Sequence, residues 1–172
     1  ASLANSRGII LGRDYAFDMV RPGIGLFGGN PQPGVPNPAI PAARLVGRIL
    51  QLRRVDKGES VGYAATFRIK RPTMLATVAL GYADGIPRAL SSRGAGAVAG
   101  HVAPIAGRVS MDLVSLDVTG VPQDLLEIGA EVELFGDVVT LDDMAEAAGT
   151  SAYEILTGVG ARVPRRYTEG AR

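Results

Sequence analysis

The chain has 172 residues, 47% hydrophobic and 20% charged, which is enough apolar material for one domain with its own core, or one domain carrying part of a neighbour. Eighteen basic and 17 acidic residues leave a net charge of +1, which gives no electrostatic footprint for a nucleic-acid or anionic-membrane partner. With no cysteine and one histidine, His101, the sequence excludes disulfides, thiolate metal sites and histidine-rich metal sites.

No apolar run reaches the length of a membrane span, and the opening ASLANSRG lacks the apolar centre of a signal peptide. The expectation is a soluble, cytoplasmic protein. Residues 1–28 end in VRPGIGLFGG, which reads as a short buried strand running into a glycine-rich turn. Between Asn30 and Pro41, NPQPGVPNPAIP carries five prolines and no periodicity, marking an extended linker and a division into residues 1–41 and 42–172.

Beyond the linker the pattern is mainly β. Strands are expected at Arg44–Val55, Val61–Ile69, Met74–Leu80, Ala97–Ile105, Met111–Val118, Glu131–Phe135 and Ala161–Tyr167, separated by turns such as DKGE and YADG. The clearest is MDLVSLDV, where Val114, Leu116 and Val118 alternate with Leu113, Ser115 and Asp117. Short strands without long helical connections suggest a closed or nearly closed barrel. One helical insert interrupts them: Thr140 to Asp143 forms a capping box with Gly149 as the stop, and Ser151 to Glu154 forms a second, opening a helix through Leu156.

Five stretches carry groups that could do chemistry. Ser6, Arg21, Gly23 and Ile24 combine a hydroxyl, a guanidinium and a glycine-exposed backbone, the ingredients of an anion nest, although such short motifs usually mark ordinary turns. In VGYAATF small neighbours leave the Tyr63 phenol accessible. A strand tyrosine usually packs, and a phenol works as a base near neutrality only where its surroundings favour phenolate by roughly 4 kcal/mol. GYADGIPR sets Tyr82 and Arg88 around an Asp-Gly turn, and GRVSMD presents Met111 and Asp112 at a strand entry. YEILT puts Tyr153 in the first turn of a short helix, where an anion site can be completed.

Taken together, VRPGIGLFG, VGYAATF, GYADGIPR, GRVSMD and YEILT followed by RVPRRY resemble, in order and spacing, the alanine racemases, from about Ser2 to Tyr167. The resemblance implies a carboxy-terminal β-barrel domain with a short helical insert, preceded by the last part of a TIM-like α/β barrel that binds pyridoxal phosphate (PLP). It assigns Ser6, Gly23, Ile24 and Tyr153 to the cofactor phosphate and Arg21 to the ring nitrogen. Tyr63 falls on the tyrosine base, opposite a lysine base that also carries PLP. Met111 falls on the residue whose amide contacts the substrate carboxylate, with Asp112 its acidic neighbour, while Tyr82 and Arg88 fall on gate residues.

The implied reaction interconverts L- and D-alanine for peptidoglycan in a homodimer whose subunits meet through the active site. Two departures accompany the match. Ser2 stands where many members have histidine, and neither Lys57 nor Lys70 lies in the PLP-lysine motif, so the chain is expected to be inactive alone. A non-catalytic dimerisation or binding module, and a racemase of serine or lysine, are the competing readings.

Overall fold

The structure is a computed structural model that describes residues 1–65 and 67–168; Thr66, inside the expected Val61–Ile69 strand, and Glu169–Arg172 lie outside the described residues. A first strand, β1 (Ser2–Asn5), pairs in parallel with β2 (Met19–Arg21). Between them runs α1 (Ser6–Ile10), whose N-cap Asn5 accepts a hydrogen bond from the Gly8 N–H at 3.0 Å. The parallel pairing fits a βα unit of an α/β barrel. Contrary to the expectation of a buried strand, β2 is exposed along its length, with β1 and α1 packed beside it. Residues 30–41 contain neither helix nor strand.

The barrel is one six-stranded sheet. Its strands are β3 (Leu45–Val55), β6 (Thr73–Val78), β7 (Ala95–Val98), β8 (His101–Pro104), β9 (Val114–Asp117) and β10 (Glu131–Phe135), in the order β8-β7-β10-β3-β6-β9, with antiparallel pairing throughout. Just past β8, Ile105 bridges to Leu116 of β9 and Ala106 donates to the Ser115 carbonyl at 2.8 Å, so the sheet's two edges meet and the barrel nearly closes. Ile49, Val78, Val98, Val114, Leu116 and Leu134 fill it. The alternation expected along Val114–Val118 is present, with Val114, Leu116 and Val118 buried and Ser115 and Asp117 only partly so.

Three expected strands differ from the structure. The Ala97–Ile105 strand is a hairpin, β7 and β8, turning at Ala99 and Gly100 with φ of 47° and 83°. Both central residues are left-handed, as a two-residue hairpin turn demands, but Ala99 lacks the usual Asn or Asp signature. The Val61–Ile69 strand is interrupted: β4 (Ser60–Val61) and β5 (Phe67–Arg68) pair with each other across a helical turn at Tyr63–Ala65. The Ala161–Tyr167 segment is not a strand. Instead the Arg165 guanidinium caps the carbonyls of Val159, Gly160 and Val163.

The helices follow their caps. Helix α2 (Leu141–Ala148) starts at Thr140 with both arms of its capping box made and stops at Gly149 in the left-handed conformation. Helix α3 (Ala152–Gly158) starts at Ser151, but only one arm forms, because the Glu154 carboxylate takes the Thr150 hydroxyl instead.

Candidate active site

The glycine-rich turn after β2 and the first turns of α1 and α3 converge. Ser6 is buried, and its Oγ accepts from the Gly23 N–H at 2.7 Å and the Gly25 N–H at 3.4 Å. A hydroxyl that accepts two N–H groups points its own proton away from them, so Ser6 keeps a donor for a ligand oxygen. The Ile24 N–H donates to no protein acceptor among the described residues. A Cβ built on Gly23 would lie 3.9 Å from Ser6 Oγ and 3.8 Å from Tyr153 Cε1, in the space between hydroxyl and ring. The cradle thus gathers three segments, and a side chain at residue 23 would fill it. It opens into a cleft of about 540 Å³ that Arg44, Arg166 and Tyr167 also line. These donors fit a phosphate group.

Arg21 lies at the end of β2, beside β1. Its Nη1 donates to Ser2 Oγ at 2.6 Å and its Nη2 to the Leu3 carbonyl at 3.3 Å. The Ser2 hydroxyl and the Leu3 carbonyl therefore hold the Arg21 guanidinium.

Tyr63 occupies the helical turn between β4 and β5 and is 77% exposed. Its phenol has no hydrogen-bond partner among the described residues. Gly62 makes the turn possible: its φ is +78°, and a Cβ there would come within 3.1 Å of the Arg108 backbone nitrogen. Reciprocally, a Cβ on Gly107 would lie 3.1 Å from the Val61 carbonyl oxygen, so the tyrosine turn and the GRVSMD loop interlock backbone to backbone.

Tyr82 and Arg88 also meet, with the guanidinium 5.8 Å from the ring centroid. The Tyr82 turn rests on the Met111 loop: Tyr82 N–H donates to the Ser110 carbonyl and Ala83 N–H to the Met111 carbonyl, both at 2.9 Å. Asp84 anchors the turn. Burial pushes its carboxyl up, but the Arg162 guanidinium and the Gly81 N–H outweigh that and hold it below the usual carboxylate range. Arg162 was singled out by no local signal, since its partners Asp84 and Asp112 lie 78 and 50 residues away.

The expected site residues therefore form two groups. Ser6, Gly23, Ile24 and Tyr153 make the cradle, with Arg21 on the neighbouring strand end; Tyr82, Arg88, Met111 and Asp112 make the second group, to which the Tyr63 turn is locked. Among the described residues no hydrogen bond joins Tyr63 to the cradle.

Known proteins show the same arrangement of segments. The family model described as alanine racemase, C-terminal domain, matches residues 42–167, and that described as alanine racemase, N-terminal domain, matches residues 1–31. The chain belongs to the alanine racemase family. It is 51% identical to the alanine racemase of Rhodospirillum rubrum over 97% of this chain and 45% of that protein. The crystal structure of the biosynthetic alanine racemase from Pseudomonas aeruginosa superposes with a TM-score of 0.90 at 42% identity, covering 98% of this chain and 47% of that one. The alanine racemase of Bartonella henselae, solved with covalently bound pyridoxal phosphate, matches with a TM-score of 0.85 at 41% identity over 97% of this chain and 46% of that one. The chain thus spans about half the length of the racemases it matches.

Proposed function

We propose that this chain supplies the carboxy-terminal part of a PLP-dependent alanine racemase that interconverts L- and D-alanine in the cytoplasm, with residues 1–41 belonging to the cofactor barrel and 42–172 to the β domain. The observation that carries the reading is the convergence of the Ser6 hydroxyl, the Gly23–Ile24 backbone and the Tyr153 ring from opposite ends of the sequence, in a chain of the racemase family.

PLP, when bound, acidifies the α-proton of the amino acid it holds. Ser6, Gly23, Ile24 and Tyr153 would hold its phosphate. Arg21, already fixed by Ser2 Oγ, would donate to the ring nitrogen; a guanidinium does not readily give up its proton, which would limit the electron demand of the ring. Tyr63 accepts or returns the α-proton at its phenol oxygen on one face of the substrate. Inversion requires a second base on the other face, which the resemblance assigns to a lysine. Lys57 lies in the turn after β3 and Lys70 in the loop after β5, neither in that lysine's motif. We therefore infer that the 172 residues do not racemise alanine by themselves.

The Met111 N–H binds the substrate carboxylate, with Asp112 beside it, while Tyr82 and Arg88 narrow the approach and limit side-chain size. The homodimer that the resemblance implies, in which Tyr63 and Met111 serve the partner subunit's cofactor, is compatible with the lack of any hydrogen bond between Tyr63 and the cradle among the described residues. In the full polypeptide that contains this chain, Tyr63→Ala is expected to slow racemisation by roughly 10²–10⁴-fold, the usual scale of general acid–base catalysis. A loss under tenfold, measured by coupled assay of D-alanine, overturns the base assignment.

A further inference from the structure

Arg162 has no role in the chemistry above, yet it ties two of the proposed site loops together. Its Nε donates to Asp84 Oδ1 at 2.7 Å and its Nη2 to Asp112 Oδ1 at 2.5 Å. We propose that Arg162 is a positioning residue for the substrate carboxylate: by clamping Asp84 and Asp112 it fixes the peptide whose N–H, at Met111, faces the substrate. This inference rests on the racemase reading.

The peptide unit between Ser110 and Met111 is held from one side. Among the described residues no peptide is cis, so the Ser110 carbonyl and the Met111 N–H point to opposite sides of the backbone. The carbonyl is taken by the Tyr82 N–H, and the next carbonyl, of Met111, by the Ala83 N–H. Both carbonyls therefore face the 81–85 turn, and the Met111 N–H is turned away from it. Among the described residues that N–H has no protein acceptor. The approach is so close that a Cβ on Gly81 would lie 2.3 Å from the Met111 carbonyl oxygen. Any slip of the turn against the loop would re-aim the N–H.

Three segments meet at Arg162, and each is pinned. The Gly81 N–H donates to Asp84 Oδ2 at 2.8 Å, closing the turn on itself. The Gly160 N–H donates to the Asp84 carbonyl at 3.2 Å, and a Cβ on Gly85 would lie 2.3 Å from the Gly158 carbonyl oxygen, so the arginine's own segment is packed under the turn. The two arms of the clamp differ in purpose. Asp84 is nearly buried and needs a cation beside it, whereas the Asp112 side chain is 56% exposed and needs none. An ion pair at such an exposed carboxylate adds little stability, so what the second arm contributes is geometry. It holds the residue directly after Met111. Only a planar guanidinium offers two N–H groups in fixed, divergent directions; a lysine is a single point charge that reaches one carboxylate at a time.

The test uses Arg162→Lys and Arg162→Gln in the full, cofactor-loaded polypeptide. The KM for alanine is expected to rise about tenfold in the lysine variant while kcat stays within threefold, the signature of lost carboxylate binding. A KM rise under threefold, or a fall in kcat at unchanged KM, overturns the proposal. So does failure of both variants to fold, which would make Arg162 a strut. A readout independent of turnover comes from ¹⁵N-methionine labelling. The Met111 amide resonance should move on titration with sodium acetate and should require several-fold more acetate in the lysine variant; identical titrations contradict the clamp. Absence of racemisation by the unaltered polypeptide defeats the racemase reading itself, whereas an active enzyme whose lysine variant keeps its KM defeats only the role of Arg162.

Discussion

The barrel and the amino-terminal segment face the same task, removing apolar side chains from water, and they accomplish it unequally. In the barrel, six strands and two helices enclose a continuous core from Leu45 to Ile155. In residues 1–31, Leu3, Leu11, Phe17, Met19, Leu26 and Phe27 are exposed, and the buried apolar side chains are those of Ala4 and Ile24. Ile24 is buried because it packs into the barrel's core. The Ser6–Gly23–Tyr153 cradle therefore sits at the junction of a unit that is packed and one that leaves several large apolar side chains exposed. Its geometry depends on the barrel, which supplies Tyr153, as much as on the turn that supplies Gly23.

That contrast predicts unequal responses to truncation. Leu134→Ala, at a fully buried position of β10, should lower the unfolding free energy by ~2–5 kcal/mol in urea titrations, through lost burial and the cavity left behind. A loss below ~1 kcal/mol would mean that the barrel is not the stabilising unit.

A smaller effect should follow pH. Burial pushes the Glu133 carboxyl up, but the N–H groups of Val138, Asp137 and Val139 and the Arg44 guanidinium together bring it below the usual carboxylate range. Its native pKa lies below the unfolded value, so its contribution is present above about pH 5 and is lost as the pH falls below that. Glu133→Gln should flatten the decline of the urea midpoint between about pH 5 and pH 2; an unchanged slope would remove Glu133 from the account. The smallest effect is expected in the segment, where Leu26→Ala, at a side chain 60% exposed, should change stability by no more than about 0.5 kcal/mol.

Legibility in the sequence follows the same division between local and distant causes. Strands β3, β6 and β10 and helix α2 could be read because their signals are local: periodic burial, flanking turns and a complete capping box. The β7–β8 hairpin was hidden because Ala99 accepts a left-handed conformation that alanine rarely shows. The tail after α3 looked like a strand, but among the described residues no sheet edge pairs with it, and Arg165 folds back onto the carbonyls of Val159, Gly160 and Val163. Within the site, the residues carried by motifs could be named one by one. Arg162 could not, since its meaning lies in two carboxylates that only the fold brings to it.

The central claim is that Tyr63 is one of two bases acting on opposite faces of the same carbon. The most direct measurement is the exchange of the α-hydrogen with solvent deuterium, followed separately for L- and D-alanine by proton NMR, in the full polypeptide carrying Tyr63→Ala. The two-base account predicts that exchange from one enantiomer falls by roughly 10² or more while exchange from the other stays within about tenfold of the unaltered enzyme. Equal loss for both enantiomers, or no loss for either, would contradict it.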